Sequence, residues 1–392
     1  MFRVLYGRHL LVLTLTCAPV IVGAAAQDQG ALSAVDLDTT LPPGKLAAQL
    51  ETKRVVFVGE THTRYGDHLN QLEIIRRLHQ LDPNLVIGVE YFQQPLQSKV
   101  DDYIAGRITE HEFLVDTSYF KNWGYDYRLY APMFRFAREQ RIPVRALNVP
   151  GDLPPAVAKA GIAALSEQQR AYLPKEIGPA DADYRQRLRE VFQEHGPAKP
   201  HAFDHFVQAQ LVWDEGMAQS AAAYLNKNPD RRMVILAGSG HLEFGSGIPK
   251  RLERQTHISY AIVLNSGVEM EPHVADYILL SKPEELPPAG VLGASLQEKG
   301  RECRIRSLVP GGAAEKAGLK RNDVLVEIEG QKVSTVADMR LILWDKKPGD
   351  RLRVSVKRMR RFGAAGETHS FEVELTASGK TLQELRITQF LS

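Results

Sequence analysis

Apolar runs bounded by turn residues alternate with helical patterns along most of the chain. The first run, Val55-Val56-Phe57-Val58, is continuous rather than alternating, which predicts a strand buried on both faces. It ends at Gly59, read as the point where the chain turns out of the strand. Glu60, Thr61 and His62 follow, with Tyr65, Asp67 and His68 close behind. Asn70 to Gln80 predicts a helix whose apolar face carries Leu72, Ile74, Ile75 and Leu78. Leu85 to Glu90 predicts a second buried strand, ending in a carboxylate and then Tyr91-Phe92. Strand, helix, strand predicts parallel pairing, and it sets Glu90 at the same sheet edge as Glu60 and His62. Leu129 to Gln140 reads as a helix and Val144 to Asn148 as a third strand, closed off by Pro150 and Pro154-Pro155.

Residues 156 to 228 read as a mostly helical insertion. Its clearest helix, Phe203 to Leu225, carries His205, Gln208, Trp213, Asp214 and Met217. A second copy of the opening design follows at MVILAGSGHLE, residues 233 to 243. An apolar run again ends at a glycine, Gly238, and His241 follows it as His62 follows Gly59. Open α/β sheets place ligands just past the carboxyl ends of their strands, so the two strand–Gly-x-x-His units predict two imidazoles at one pocket. Glu60, His62, Glu90, His205 and His241 are the side-chain types that hold hard-to-borderline metal ions. They are equally the types that do acid–base work on a bound water. His68, His79, His111, His195, His201 and His257 lack that strand-end context and read as ordinary surface or capped histidines. Ile258 to Leu264 and Tyr277 to Leu280 predict further strands. The fold class expected is α/β, a mainly parallel sheet flanked by helices with a helical insertion.

The pattern changes around KPEELPP (residues 282–288), whose composition is that of a linker, taken as 282–287. Residues 288–380 read as a small β-rich domain, and 381–392 as a C-terminal tail. Val291 to Leu296 predicts a strand opened by small residues, Val333 to Leu343 a helix, and Arg351 to Lys357 an alternating strand. Lys357-Arg358-Met359-Arg360-Arg361 is a local basic cluster, read as a solvated strand end and turn.

The chain has 392 residues, comfortable for two domains. Its net charge of +2 gives no electrostatic case for nucleic acid. Residues 1–26 have the pattern of an export signal: Arg3 and Arg8, an apolar core from Leu10 to Val22, and a small-residue cleavage pattern at Ala24-Ala25-Ala26. A body running from Gln27 to 281, in a bacterial periplasm, is the expectation. Lipid attachment at Cys17, with outer-membrane association, is the rival, although Thr14-Leu15-Thr16 lacks the small residue usually found before a lipidated cysteine. The other cysteine is Cys303, which has no internal partner once Cys17 is removed.

Two resemblances extend this reading. GETH at 59–62, GSGH at 238–241, EYF at 90–92 and AQLVWDEGMA along the long helix resemble the ChaN-like haem-binding family over roughly residues 45 to 265. That resemblance implies a haem-binding α/β domain serving iron acquisition in the bacterial envelope, with a homodimer around haem as one arrangement. Carried over by residue, it implies Glu60, His62 and His241 as pocket residues, with Glu90 and the AQLVWDE residues at 209–215, Trp213 among them, as a weaker carry-over; His205 joins the candidate haem-binding set from its residue type alone. Haem in this family is associated with tyrosine ligation. Tyr65, on the loop with His62, is the best placed of Tyr65, Tyr91, Tyr125 and Tyr127. An anionic tyrosinate suits ferric iron. The aromatic run from Tyr119 to Tyr127 reads either as cover for a flat macrocycle or as an ordinary buried cluster. The same Gly-x-x-His pair is similar, more distantly, to the Tiki and TraB proteins and erythromycin esterases. This implies the alternative of a hydrolase using Glu60, His62 and His241 on a divalent metal such as Zn or Mn. The second resemblance, carried by AGL at 317–319 and NDVL at 322–325, is to bacterial PDZ domains over about 288 to 377. It implies docking of a protein or peptide C-terminus as an added strand. The terminal carboxylate would rest on the backbone N–H groups of Val291, Leu292, Gly293 and Ala294.

Overall fold

The computed structural model describes residues 40–193, 201–268, 270–280, 284–300, 302–358 and 366–378. The expected export signal, Cys17, His195, the C-terminal tail, part of the expected linker and Met359 to Arg361 of the basic cluster lie outside the described residues.

Six strands form one parallel sheet: β1 (Val55–Glu60), β2 (Leu85–Gln93), β3 (Val144–Asn148), β4 (Arg232–Gly238), β5 (Tyr260–Asn265) and β6 (Tyr277–Leu279). Their order is β3-β2-β4-β1-β5-β6, and every neighbouring pair is parallel. The strand–helix–strand pattern led us to expect β1 beside β2, but β4 lies between them. A strand as apolar as β4, buried along all but its first residue, gains most from a central position covered on both faces. In register, Glu60 stands opposite Gly238, so the two Gly-x-x-His segments leave the same sheet edge side by side.

Successive side chains of β1 serve two apolar layers, as the period of a strand requires. Val56 and Val58 face one layer, and Val55 and Phe57 face the other. The first layer is closed by the helices Tyr65–Leu81, Gln97–Ile104 and Ala131–Glu139. The second is closed by the helices Ala202–Lys227 and Ile248–Thr256. The helix after the first motif begins at Tyr65, earlier than its apolar periodicity indicated. Its first turn is polar yet contains the buried Asp67 and His68, so hydropathy alone did not mark it.

The C-terminal part is an antiparallel sheet with its own core. Its strands are β7 (Gly290–Val291), β8 (Ala294–Lys299), β9 (Glu302–Leu308), β10 (Val324–Ile328), β11 (Gln331–Lys332), β12 (Arg351–Arg358), β13 (Glu367–Glu374) and β14 (Thr376–Ala377). The main path runs β13-β12-β10-β9-β8, which leaves β8 at the edge; β11 adds to β10, and β7 pairs β14. The single strand expected from Val291 to Leu296 is broken at Leu292-Gly293, where Gly293 has φ +68°, a conformation that glycine adopts without steric cost. Arg358 of the basic cluster pairs with Asp323 at 2.7 Å. Cys303 is buried and free.

The central strand gives a direct test of this layering. Leu236→Ala should lower unfolding stability by about 2–5 kcal/mol, because a fully buried position cannot collapse around the void. In urea the midpoint should fall with the slope unchanged. An unaltered midpoint would remove Leu236 from the core.

Candidate functional site

The site forms where β1, β4 and β2 end. Gly59 and Gly238 are needed there for space. Gly59 lies inside β1 rather than at a turn, correcting the expectation: a Cβ on it would meet Leu264 Cδ2 at 2.4 Å and Ser239 Oγ at 2.9 Å. A Cβ on Gly238 would stand 3.0 Å from His62 Cε1. Glycine at 238 therefore lets the His62 ring lie across the neighbouring strand end.

The Glu60–Thr61–His62 turn is tied from several sides. Thr61 N–H donates to Asp67 Oδ2 at 2.9 Å. The His62 carbonyl faces His68 Nε2 at 3.3 Å and accepts from Tyr130 Oη at 3.4 Å. His62 Nδ1 meets Glu60 Oε1 at 2.5 Å, and His68 Nε2 lies 3.8 Å from Glu60 Oε2. His68, which lacked sequence context, is thus buried against the site. Its position in the first turn of a helix, one turn past His62, was the available signal.

A second carboxylate–imidazole pair stands on the other motif. His241 Nδ1 meets Asp214 Oδ1 at 2.7 Å, and Asp214 Oδ2 accepts from Tyr184 Oη at 2.6 Å. His241 Nε2 faces Glu90 Oε1 at 3.6 Å. Glu90 Oε2 in turn accepts from the Gly238 N–H at 2.8 Å. Sequence places Asp214 in the long helix and its AQLVWDE stretch, but its pairing with His241 is visible only in the fold. Fixing Nδ1 on a carboxylate orients each ring, the arrangement usual behind a ligating histidine, while Nε2 of His241 faces Glu90.

The electrostatics follow from these pairs. Burial pushes the Glu60 carboxyl up, but the charges of His62 and His68 and the His62 hydrogen bond hold it below its ordinary value. Burial pushes His62 down, but Glu60's charge, its hydrogen bond and Glu90's charge outweigh this and raise it to about 9. Burial lowers His68, beyond what Glu60 restores. His241 is opposed by burial yet raised by Glu90 and Asp214. The Tyr125 phenol is pushed up to about 12 by burial and by the charges of Glu60 and Glu90.

Aromatic rings flank His62. Trp123 lies edge-on at 5.0 Å between centroids and Tyr125 at 4.8 Å; both are half-buried. Tyr119 and Tyr127, from the same run, are fully buried in the core. The buried-cluster reading holds for Tyr119 and Tyr127, while Trp123 and Tyr125 stand beside His62. Tyr65 starts the helix Tyr65–Leu81 and packs half-buried against the same apolar layer, while the rings against His62 are those of Trp123 and Tyr125. Trp213 lies 6.2 Å from His241, edge-on. His205 is not brought to the site. It packs at Gly161, where an added Cβ would meet its Nε2 at 2.9 Å, one helical stretch upstream of Asp214. Among the described residues no group of three or more His, Cys, Asp or Glu side chains is placed to hold a metal ion, so the divalent-metal alternative lacks a ligand set. In the C-terminal domain the carbonyls of Leu292 and Gly293 are taken by Ala314 and Val309 N–H, at 2.7 and 2.8 Å. These bonds fix the loop of Val291 to Ala294 at the head of the edge strand.

A parallel α/β domain with paired strand-end histidines, joined to an antiparallel β domain with an open edge, defines the class. A family model described as haem-binding uptake, Tiki superfamily, ChaN matches residues 46–252. The chain belongs to that family, and residues 290–375 match the PDZ domain model. Among curated proteins, the chain is similar to RETICULATA-RELATED 5, chloroplastic, of Arabidopsis thaliana, 27% identical over 53% of this chain and 30% of that one. It is also similar to the serine protease Do-like HtrA of Bacillus subtilis, 31% identical over 24% of this chain and 22% of that one. The chain therefore spans under a third of the length of either relative. A solved structure described as cofacial haem binding to ChaN of Campylobacter jejuni superposes with TM-score 0.49 and 16% identity, covering 59% of this chain and 89% of that one. A peptide-bound PDZ domain of a carboxy-terminal protease from Vibrio cholerae gives TM-score 0.20 and 25% identity, covering 24% of this chain and 99% of that one.

Two outcomes follow from the Glu60–His62 pair. In the ligand-free protein, an NMR titration should place His62 well above ordinary imidazole. In Glu60→Gln it should fall to or below about 6.5, since burial then acts with less opposition. An unmoved His62 would remove Glu60 as its partner. Stability should respond too. A raised folded pKa means the folded state keeps a proton that the unfolded chain has released. The pair's contribution is therefore full below about pH 6.5 and is lost as pH rises through about 9. The urea midpoint should drop across that window in the parent and more shallowly in Glu60→Gln. Equal slopes would dismiss the pair as its source.

Proposed function

We propose that this protein is an exported haem-binding protein of the bacterial envelope, serving iron acquisition, whose PDZ domain docks a partner's C-terminus. The observation that carries the haem reading is the half-exposed shelf of Trp123 and Tyr125 around an imidazole locked through Nδ1. A flat, largely apolar macrocycle suits aromatic rings that are neither sealed in the core nor fully solvated. The donor set suits iron: His62 offers Nε2, and Tyr125 a phenol, at the face of the shelf. The buried Glu60 Oε2, without a hydrogen-bond partner, adds a negative field beneath. When bound, haem supplies the iron and the flat apolar surface; Glu60 and Asp214 orient the rings that meet it. His241, facing Glu90, lies further in and completes the charged floor.

The leader pattern at residues 1–26 supports export, and the periplasm is the compartment we assign. None of the described helices is long and apolar enough to cross a membrane. Haem held by Trp123, Tyr125 and His62 would face either solvent or a second copy of the chain. Gel filtration with and without haem distinguishes these. The β8 edge beside the helix Val336–Leu343 supports docking of a peptide with a free carboxylate.

Haem titration of the chain from Gln27 tests the reading. One haem per chain should give a saturable Soret band. His62→Ala and Tyr125→Phe should each weaken binding, the axial ligand by about tenfold or more. Non-saturating absorbance, indifferent to both substitutions, would overturn it.

A further inference from the structure

The helix Val336–Leu343, the second wall of the peptide groove, has two working faces. Val336, Met339 and Leu343 pack into the PDZ core, which also holds Leu292 and Leu296. Its start is tied to the edge strand, where Glu298 Oε1 accepts from Val336 N–H at 2.7 Å. The opposite face turns to the haem-binding domain. Leu341 and Trp344 pack against that domain's apolar core, and Trp344 lies edge-on to Tyr127 at 5.4 Å. Arg340 Nη1 donates to the carbonyl of Gly124 at 2.7 Å. Gly124 is the residue between Trp123 and Tyr125, the two rings against His62. Arg128, next to the same run, donates to the Pro287 carbonyl at 2.8 Å, where the PDZ domain begins.

We infer that Arg340 is a positioning residue for the haem shelf, and that a peptide C-terminus in the PDZ groove is thereby coupled to ligand binding at His62. A peptide added beside β8 must fit between that strand and the helix. It favours the helix position with the wider groove, as any ligand favours the state it binds better. A half-open groove of about 500 Å³, lined by Leu341 and Trp344 together with His111 and polar residues such as Glu329, Asp345 and Arg351, flanks the end of that helix. Close-packed elements transmit displacement rather than absorb it, so the helix carries Gly124, and with it Trp123 and Tyr125, relative to His62. Linkage makes the effect mutual: haem at His62 changes peptide affinity by the same factor. The inference rests on the peptide-docking part of the function proposed above.

The test uses the full mature chain with the indole nitrogens isotope-labelled. Its three tryptophans give three indole signals, and Trp123→Phe identifies one. The probe is a short peptide ending in Ala-Val with a free carboxylate, and its C-terminal amide is the control. Saturating peptide should move the Trp123 signal and change haem affinity about fivefold or more. In Arg340→Ala, the peptide should still bind while both responses vanish. Arg340→Lys, which keeps a cationic donor, should restore part of them. Peptide that binds while Trp123 and haem affinity stay unchanged in the parent overturns the coupling alone; this comparison needs no variant. A chain that binds no carboxylate-ended peptide overturns both the docking and the coupling. A Trp123 signal that responds to peptide in a chain that takes up no haem supports the coupling while the haem reading falls.

Discussion

Glu60 is a carboxylate at the end of a strand buried along its whole length. A charge in that position is expensive unless opposite charge and hydrogen bonds compensate it. His62 supplies the compensation by curling back to Glu60 Oε1, and His68 stands behind the other oxygen. The turn bonds from Asp67, His68 and Tyr130 then serve one end, which is to hold the His62 ring where that pairing is made. The glycine opposite, Gly238, is the space this ring occupies. A Cβ at 238 would stand 3.0 Å from Cε1 of this ring, so the ring or its neighbours would have to give by a few tenths of an ångström.

The second pair, Asp214–His241, repeats the solution from another direction. Its carboxylate comes from the long helix rather than from the strand that bears the histidine. Glu90 lies between the two imidazoles, raising both and bound to the backbone of the second motif. The result is a charged floor of alternating acids and bases beneath an aromatic rim. Such a floor is rigid because moving any member exposes another's charge. Trp123 and Tyr125, only half-buried, form the part of the site nearest solvent. They are also the part that the PDZ helix touches through Gly124.

Much of this was legible along the chain because buried parallel strands announce themselves as unbroken apolar runs. The runs at 55–58, 85–90, 144–148 and 233–237 marked four strands of the sheet, and the Gly-x-x-His repeat marked the two that meet. The PDZ domain was equally visible, since its turns need particular small residues at particular spacings. Neighbour relations were less legible. Nothing local says that β4 inserts between β1 and β2, because hydropathy reports burial and is silent on which strand provides it. His205 and Asp214 show the same limit within one helix. Both are polar residues on the same helix, which mixes apolar and polar positions. Only the path of the helix past the sheet edge sends Asp214 to His241 and leaves His205 at Gly161.

The sequence by itself thus determined the α/β and PDZ architecture, the placing of Glu60, His62 and His241 at strand ends, and the chemistry those residue types can support, whereas Glu90, expected to close its strand, lies inside β2. It did so because periodicity and turn chemistry are local properties. Tertiary structure decided which carboxylate serves which imidazole, that His68 is buried at the site, and that Trp123 and Tyr125 face His62 while Tyr119 and Tyr127 fill the core. It also decided that one PDZ helix leans on the glycine between those two rings. These are facts of packing between segments far apart in the chain, and they depend on distances that no local pattern encodes.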